Sequence, residues 1–158
     1  MKEECCFTTE GTEDTEGGGK GLNGISESTI GAAIEVHKYL GPGMLESAYE
    51  ACLEYELIAR GYTVERQRPV PVIYKGVPID CAYRLDLAVD ERVLVEVKAV
   101  EHLLPVHQAQ ILSYLRLSGL PLRLLINFNG ATLRQGVRRF RPFQPLSVSS
   151  VPSVVKNS

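Results

Sequence analysis

Four charged side chains sit where this sequence otherwise reads as the interior of a sheet. The run Val93–Val100 (VLVEVKAV) is a strand pattern. A glutamate and a lysine inside it are costly unless they are paired or bind something. Strand side chains alternate, so Glu96 and Lys98 share one face while Val95 and Val97 point into the core. On the preceding strand pattern Arg84 and Asp86 share a face, and Leu85, Leu87 and Val89 take the other.

Register decides whether the two pairs meet. If Asp90-Glu91-Arg92 forms a three-residue hairpin loop, Val89 faces Val93, Asp86 faces Glu96 and Arg84 faces Lys98. A two-residue turn would put Asp86 opposite Val95, on the wrong face. The odd register sets two carboxylates about 5 Å apart across the strands. Two anions at that distance repel, and one pKa rises unless a cation joins them. Hard oxygen donors of this kind suit Mg²⁺ or Mn²⁺. Lys98 beside such an ion could lower the pKa of an attacking water or neutralise charge developing on a phosphate. Asp86, Glu96 and Lys98 therefore fit phosphodiester hydrolysis better than acyl transfer, and no Ser/His/Asp pattern competes. The plainer alternative is a surface ion-pair cluster, Arg84–Asp86–Glu96–Lys98, that only holds the sheet together.

The elements that must position these residues are dense between residues 27 and 141. Ser28 caps a predicted helix running to about Leu40, with Ile30, Ala33, Ile34 and His37 on one face, and Gly41-Pro42-Gly43 stops it. A second helix is expected from about Leu45 to Arg60, ended by Gly61. The period then changes. Tyr62–Arg66, Val70–Tyr74, a long and bent Val77–Val89, and Val93–Val100 read as extended. Pro105 opens a helix to about Leu117, Gly119 ends it, and Leu122–Asn127 (LRLLIN) is a buried strand. Residues 131–141 form a weak last element. The order ααβββαβ implies an α/β fold with a mixed sheet flanked by helices.

Composition bounds the rest. With 158 residues, the chain has room for one continuous core. Residues 1–26 are acidic and rich in Gly, Glu and Thr, and are expected to be disordered. Residues 142–158 form a Pro/Ser-rich tail expected to be flexible. No apolar run approaches the roughly 18 residues of a membrane helix, and the N-terminus has no apolar signal region. A cytoplasmic location without membrane contact is the expectation. No CxxC occurs among the four cysteines, so neither a zinc knuckle nor a disulfide framework is suggested. From His102 to Ser158 there is no acid, while Arg116, Arg123, Arg134, Arg138, Arg139, Arg141 and Lys156 carry seven positive charges. An acid-free basic third favours phosphate binding; it could also simply receive the acidic tail.

These residues also carry a resemblance. The hairpin YRLDLAVDERVLVEVKAV resembles the D…ExK core of the PD-(D/E)XK nuclease superfamily, and Gly43-Met44-Leu45-Glu46-Ser47-Ala48-Tyr49 matches the motif that names its GxxExxY family. The segments IEVHKYLGPG, YKGVPIDCAYRLD, LLPVHQAQILSYLRLSG and LLINFN extend the likeness over about residues 28–141. The superfamily's name expects Pro before the first Asp, and Leu85 stands there instead. The resemblance implies a restriction-endonuclease-like αβββαβ core and metal-dependent nuclease chemistry. It implies Asp86 and Glu96 as metal ligands with the Val97 carbonyl, Lys98 as the catalytic lysine, and Glu46 as a further acidic ligand. Gln110 and Tyr114 match a QxxxY pattern and share a helix face with His107. Gln110 would orient water or phosphate, Tyr114 would pack or touch substrate, and His107 would be structural or contact phosphate.

The expected activity is a Mg²⁺- or Mn²⁺-dependent nuclease, on DNA rather than RNA. Arg84 would contact phosphate or serve as the ion-pair partner of Glu96 or Asp80. The alternative is a non-catalytic nucleic-acid-binding or regulatory module retaining this fold. No separate specificity domain is evident, so a homodimer or a partner protein would supply targeting.

Overall fold

The computed structural model describes residues 21–80 and 83–141. Two helices lead, α1 (Leu22–Leu40) and α2 (Glu46–Ala59). Strands β1 (Val64–Pro69), β2 (Val72–Tyr74), β3 (Val77–Ile79), β4 (Arg84–Val89) and β5 (Val93–Lys98) follow. Helix α3 (Pro105–Ser118), strand β6 (Leu122–Asn127), a short helix α4 (Leu133–Gly136) and strand β7 (Val137–Phe140) complete the fold. The five-stranded sheet has the order β1-β4-β5-β6-β7, with β5 and β6 parallel and every other pair antiparallel. β2 and β3 form a separate hairpin. This is the expected α/β architecture, a mixed sheet between helices.

Parallel strands must be joined by a crossover, and α3 is that crossover between β5 and β6. The main core lies against α1 and α2. Ala32, Ala33, Val36, Tyr49, Leu53 and Leu57 of the helices meet Leu87, Val89, Val93, Val95, Val97, Leu124 and Ile126 of the sheet. Leu85, Ala88, Leu94 and Leu120 form a second, smaller cluster. Strict alternation therefore fails at one point: Leu85 leaves the set of Leu87 and Val89. The irregularity is opposite Asp86, where Gln67 of β1 has φ 55 and the ladder skips a pair between Arg66↔Leu87 and Arg68↔Leu85.

Other boundaries also move. α1 starts at Leu22, six residues before Ser28, and buries Ile25 and Ser26, so residues 22–26 belong to the folded unit rather than to a disordered tail. The long Val77–Val89 pattern is two strands. The expected tails otherwise fall on residues outside the described set, as do Cys5, Cys6 and Cys81; Cys52 is a free, half-buried thiol on α2. Among the described residues no helix is long and apolar enough to cross a membrane.

Candidate active site

The hairpin β4–β5 has the odd connection. Val89 pairs with Val93 and Leu87 with Val95, leaving Asp90, Glu91 and Arg92 as a three-residue loop closed by the Arg92 N–H on the Val89 carbonyl at 3.0 Å. Asp90 and Glu91 take φ of 49 and 53, a left-handed conformation that Asp tolerates better than most residues and Glu adopts rarely. Asp90 is fixed further, since its carboxylate accepts from the Thr63 N–H at 2.8 Å. In this register Asp86 comes level with Glu96.

Backbone pairing of β4 with β5 stops at that level. The Asp86 carboxylate takes over, accepting through Oδ2 from the Val97 N–H at 2.8 Å. Within a strand the N–H and C=O of one residue face the same neighbour. The Val97 carbonyl therefore faces β4, whereas the next carbonyl, of Lys98, accepts from Phe128 N–H on the β6 side. Asp86 is largely withdrawn from water. Burial first, and the nearby Glu96 carboxylate second, push its pKa up to about 7, against the Val97 hydrogen bond that works to lower it.

Glu96 is buried, and both its oxygens are engaged. Oε1 meets Lys98 Nζ at 3.4 Å, and Oε2 accepts from Arg123 Nη2 at 2.8 Å. Arg123 is wholly buried in β6 and also donates through Nη1 to the Ile111 carbonyl of α3. Its guanidinium lies 5.1 Å from the Tyr114 ring centre, and Tyr114 stacks on Tyr83 at 3.7 Å. Burial works to lower the Lys98 pKa, but the carboxylates of Glu96, Glu46 and Asp86 outweigh it and hold it above the ordinary lysine value.

Glu46 reaches this cluster because of the loop before α2. The Tyr49 hydroxyl donates to the Gly41 carbonyl at 2.6 Å and accepts from the Met44 N–H at 3.1 Å. Its ring stacks on Phe128 at 4.3 Å. Gly43, at φ 100, takes a backbone conformation that other residues rarely adopt. The clamp sets the start of α2, and Glu46 Oε1 accepts from the Ala99 N–H just beyond β5 at 3.1 Å. One turn later Glu50 is buried, receives Gln67 Nε2 at 2.8 Å, and has its pKa raised chiefly by burial.

Glu46 and Asp86 are thus each held through one carboxylate oxygen by a backbone N–H, a geometry that leaves a second oxygen for a cation. Hard carboxylate and carbonyl oxygens fit Mg²⁺ or Mn²⁺. Among the described residues, however, no three His, Cys, Asp or Glu side chains converge closely enough to hold an ion between them. Glu96, for its part, is turned to Lys98 and Arg123.

One comparison bears on this geometry. A family model of the PD-(D/E)XK nuclease superfamily matches residues 23–140. The chain belongs to the PD-(D/E)XK nuclease superfamily. No curated protein and no solved structure matches it. In this PD-(D/E)XK chain the five-stranded mixed sheet flanked by helices is consistent with the restriction-endonuclease-like fold of that superfamily.

The outer site residues fare differently. Arg84 is exposed and donates to the Gln67 carbonyl at 3.4 Å; Glu96 pairs with Lys98 and Arg123 instead. His107 Nδ1 accepts from the Leu104 N–H at 3.1 Å, so the ring caps the start of α3. Tyr114 packs between Tyr83 and Arg123, while Gln110 is exposed on α3. Sequence reasoning passed over Arg123 and Glu50. Glu50 was signalled by its place four residues after Glu46, on the same helix face; Arg123 looked like one more surface cation of a basic stretch.

Proposed function

We propose that the protein is a metal-dependent nuclease that hydrolyses phosphodiester bonds of nucleic acid, with DNA as its preferred substrate. The observation that carries the reading is the odd hairpin register, which sets Asp86 level with Glu96 and beside Lys98. Asp86, Glu96 and the Val97 carbonyl, with Glu46, would hold Mg²⁺ or Mn²⁺. That ion, when bound, supplies electrophilic stabilisation of the phosphoryl oxygens and activates water.

The chain's own residues do the rest. Lys98, kept cationic by the surrounding carboxylates, neutralises charge developing on the phosphate. Asp86 and Glu46 are oriented by backbone N–H donors, which limits the reorganisation needed at the reacting centre. Arg123 holds Glu96 Oε2 and so leaves Oε1 as the oxygen shared with Lys98. Gln110 orients water or phosphate from α3, and His107, Tyr114 and Arg84 border the substrate. The GxxExxY motif from Gly43 to Tyr49 supports membership of that subfamily, through the part Tyr49 plays in aiming Glu46.

A second reading, a non-catalytic nucleic-acid-binding or regulatory module, draws on the engagement of both Glu96 oxygens by cations of the chain itself. The discriminating experiment incubates the protein with single- and double-stranded DNA and RNA, with and without Mg²⁺ or Mn²⁺, beside Lys98→Ala. The nuclease reading expects metal-dependent cleavage that Lys98→Ala abolishes. Cleavage indifferent to that substitution, or none at all, sinks it.

A further inference from the structure

Large apolar side chains are exposed on an arm beside the site. The β2–β3 hairpin leaves Ile73, Tyr74, Val77 and Ile79 between 44% and 61% exposed. A lone two-stranded ribbon is marginally stable in water, so this apolar surface does not serve the fold of the hairpin itself.

The position of the arm is informative. It prolongs the β1–β4 ladder: after the pair Pro69↔Arg84, the Val70 N–H donates to the Tyr83 carbonyl at 2.9 Å, and Val72↔Ile79 opens the hairpin. The pairs Arg66↔Leu87 and Arg68↔Leu85 bracket Asp86, whereas β5 pairs with β4 only as far as Leu87↔Val95. The arm therefore leaves the sheet at the end where Asp86 stands and β4–β5 pairing has stopped. From Gln67 to Lys75 it reaches at most about 26 Å, at roughly 3.3 Å per residue.

Its charges suit a polyanion. Arg66 to Arg84 holds four cations and one acid, Asp80. Arg66 and Arg68 at the root meet Glu54 and Glu65. Lys75 at the tip, 5.4 Å from the Tyr74 ring centre, and Arg84 near Asp86 are exposed. The edges, in contrast, suit another strand poorly. Pro78 pairs with Ile73 inside the hairpin and brings no N–H to its outer edge, and Pro69 and Pro71 flank the way into β2.

We propose that this arm docks on duplex nucleic acid beside the phosphodiester bond presented to Asp86, with its apolar tip in a groove and Lys75 and Arg84 on the phosphates. The major groove admits a two-stranded ribbon, and apolar wedges open base steps from the minor groove. The inference rests on the nuclease reading for its substrate and adds to it the contact surface and a preference for duplex over single strand.

The test uses the full chain and a fluorescein-labelled short DNA duplex, with its single strand alongside. Anisotropy is measured in Ca²⁺ and in EDTA, for wild type, Ile73→Ser/Val77→Ser and Lys75→Ala. These positions are exposed, and circular dichroism checks that each variant melts like wild type. The expected result is duplex affinity lowered about fivefold to twentyfold by the double substitution, the scale of one or two lost apolar contacts. Single-strand affinity should move less than twofold. Unchanged duplex affinity, or equal losses on both substrates, overturns the proposal. So does a wild-type dimer that the double substitution turns into a monomer in light scattering. A parallel Mn²⁺ cleavage assay with Lys98→Ala separates the two readings. Arm-dependent binding without Lys98-dependent cleavage removes the nuclease and keeps the arm; Lys98-dependent cleavage with indifferent arm variants does the reverse.

Discussion

The Arg123 guanidinium lies 2.8 Å from the Glu96 carboxylate with no exposure to solvent, and its other terminal nitrogen holds the Ile111 carbonyl of α3. A buried pair of this kind is expensive to break from one side, because the remaining charge stays buried. Arg123→Met should lower unfolding free energy by about 3 kcal/mol. Adding Glu96→Gln should restore part of that loss. Urea titrations of the two single variants and the double variant check the coupling; additive losses would mean that the pair is not a unit.

The raised pKa of Asp86 fixes a pH dependence. In the unfolded chain its carboxyl ionises near the ordinary aspartate value; in the folded protein it holds its proton to about pH 7. Between those values the native state binds more protons than the unfolded state, so this group's contribution to stability falls as pH rises through that window. Asp86→Asn removes the ionisation while still offering an oxygen to Val97. It should gain on the order of 1–2 kcal/mol over wild type at pH 8 and little at pH 4. Melting curves across that range, without divalent cations, give the answer, and an equal effect at both ends would contradict it.

Tyr49 separates the aim of Glu46 from the packing of α2. Tyr49→Phe keeps the ring on Phe128 but loses the contacts to Gly41 and Met44. The cost to stability should be about 1–2 kcal/mol, the value of a hydrogen bond with one partner left unsatisfied. Mn²⁺ affinity, read by calorimetry without nucleic acid, should fall several-fold. A lowered melting temperature with unaltered Mn²⁺ binding would leave Tyr49 a packing residue only.

The register between β4 and β5 is the sharpest lever. Deleting Val95 keeps the three-residue connection and the Val89↔Val93 pair but moves Asp86 opposite Val97 and turns Glu96 toward the face of Leu87 and Val89. Either the strand refuses the new register and the protein unfolds, or the fold survives without its site. Circular dichroism and the cleavage assay should show loss of at least one; a folded, cleaving deletion variant would refute the register argument.

That register was legible in the sequence because a period of two and an odd loop leave one arrangement that keeps Leu87, Val89, Val93 and Val95 together. β6 was legible for a similar reason, as an apolar run interrupted only by Arg123 and bounded by Gly119 and Asn127. Other features needed tertiary contacts. Gly21, Asn23 and Gly24 read locally as loop, yet they open α1, where Asn23 Oδ1 accepts from Arg139 and Arg141. Leu85 departs from its expected face at the level where Gln67, on the neighbouring strand, takes a positive φ, a match that only the paired strands reveal. The partnership of Arg123 with Glu96 depends on the parallel match Leu94↔Arg123, made only after the α3 crossover returns the chain.

The hydrogen bond from Val97 to Asp86 has a use beyond holding the hairpin. A backbone amide that donates to a carboxylate feels the charge of that carboxylate directly. The Val97 proton is therefore a resident probe of the site: its NMR chemical shift and its exchange rate should follow the ionisation of Asp86 and the arrival of a cation, with no label added to the chain.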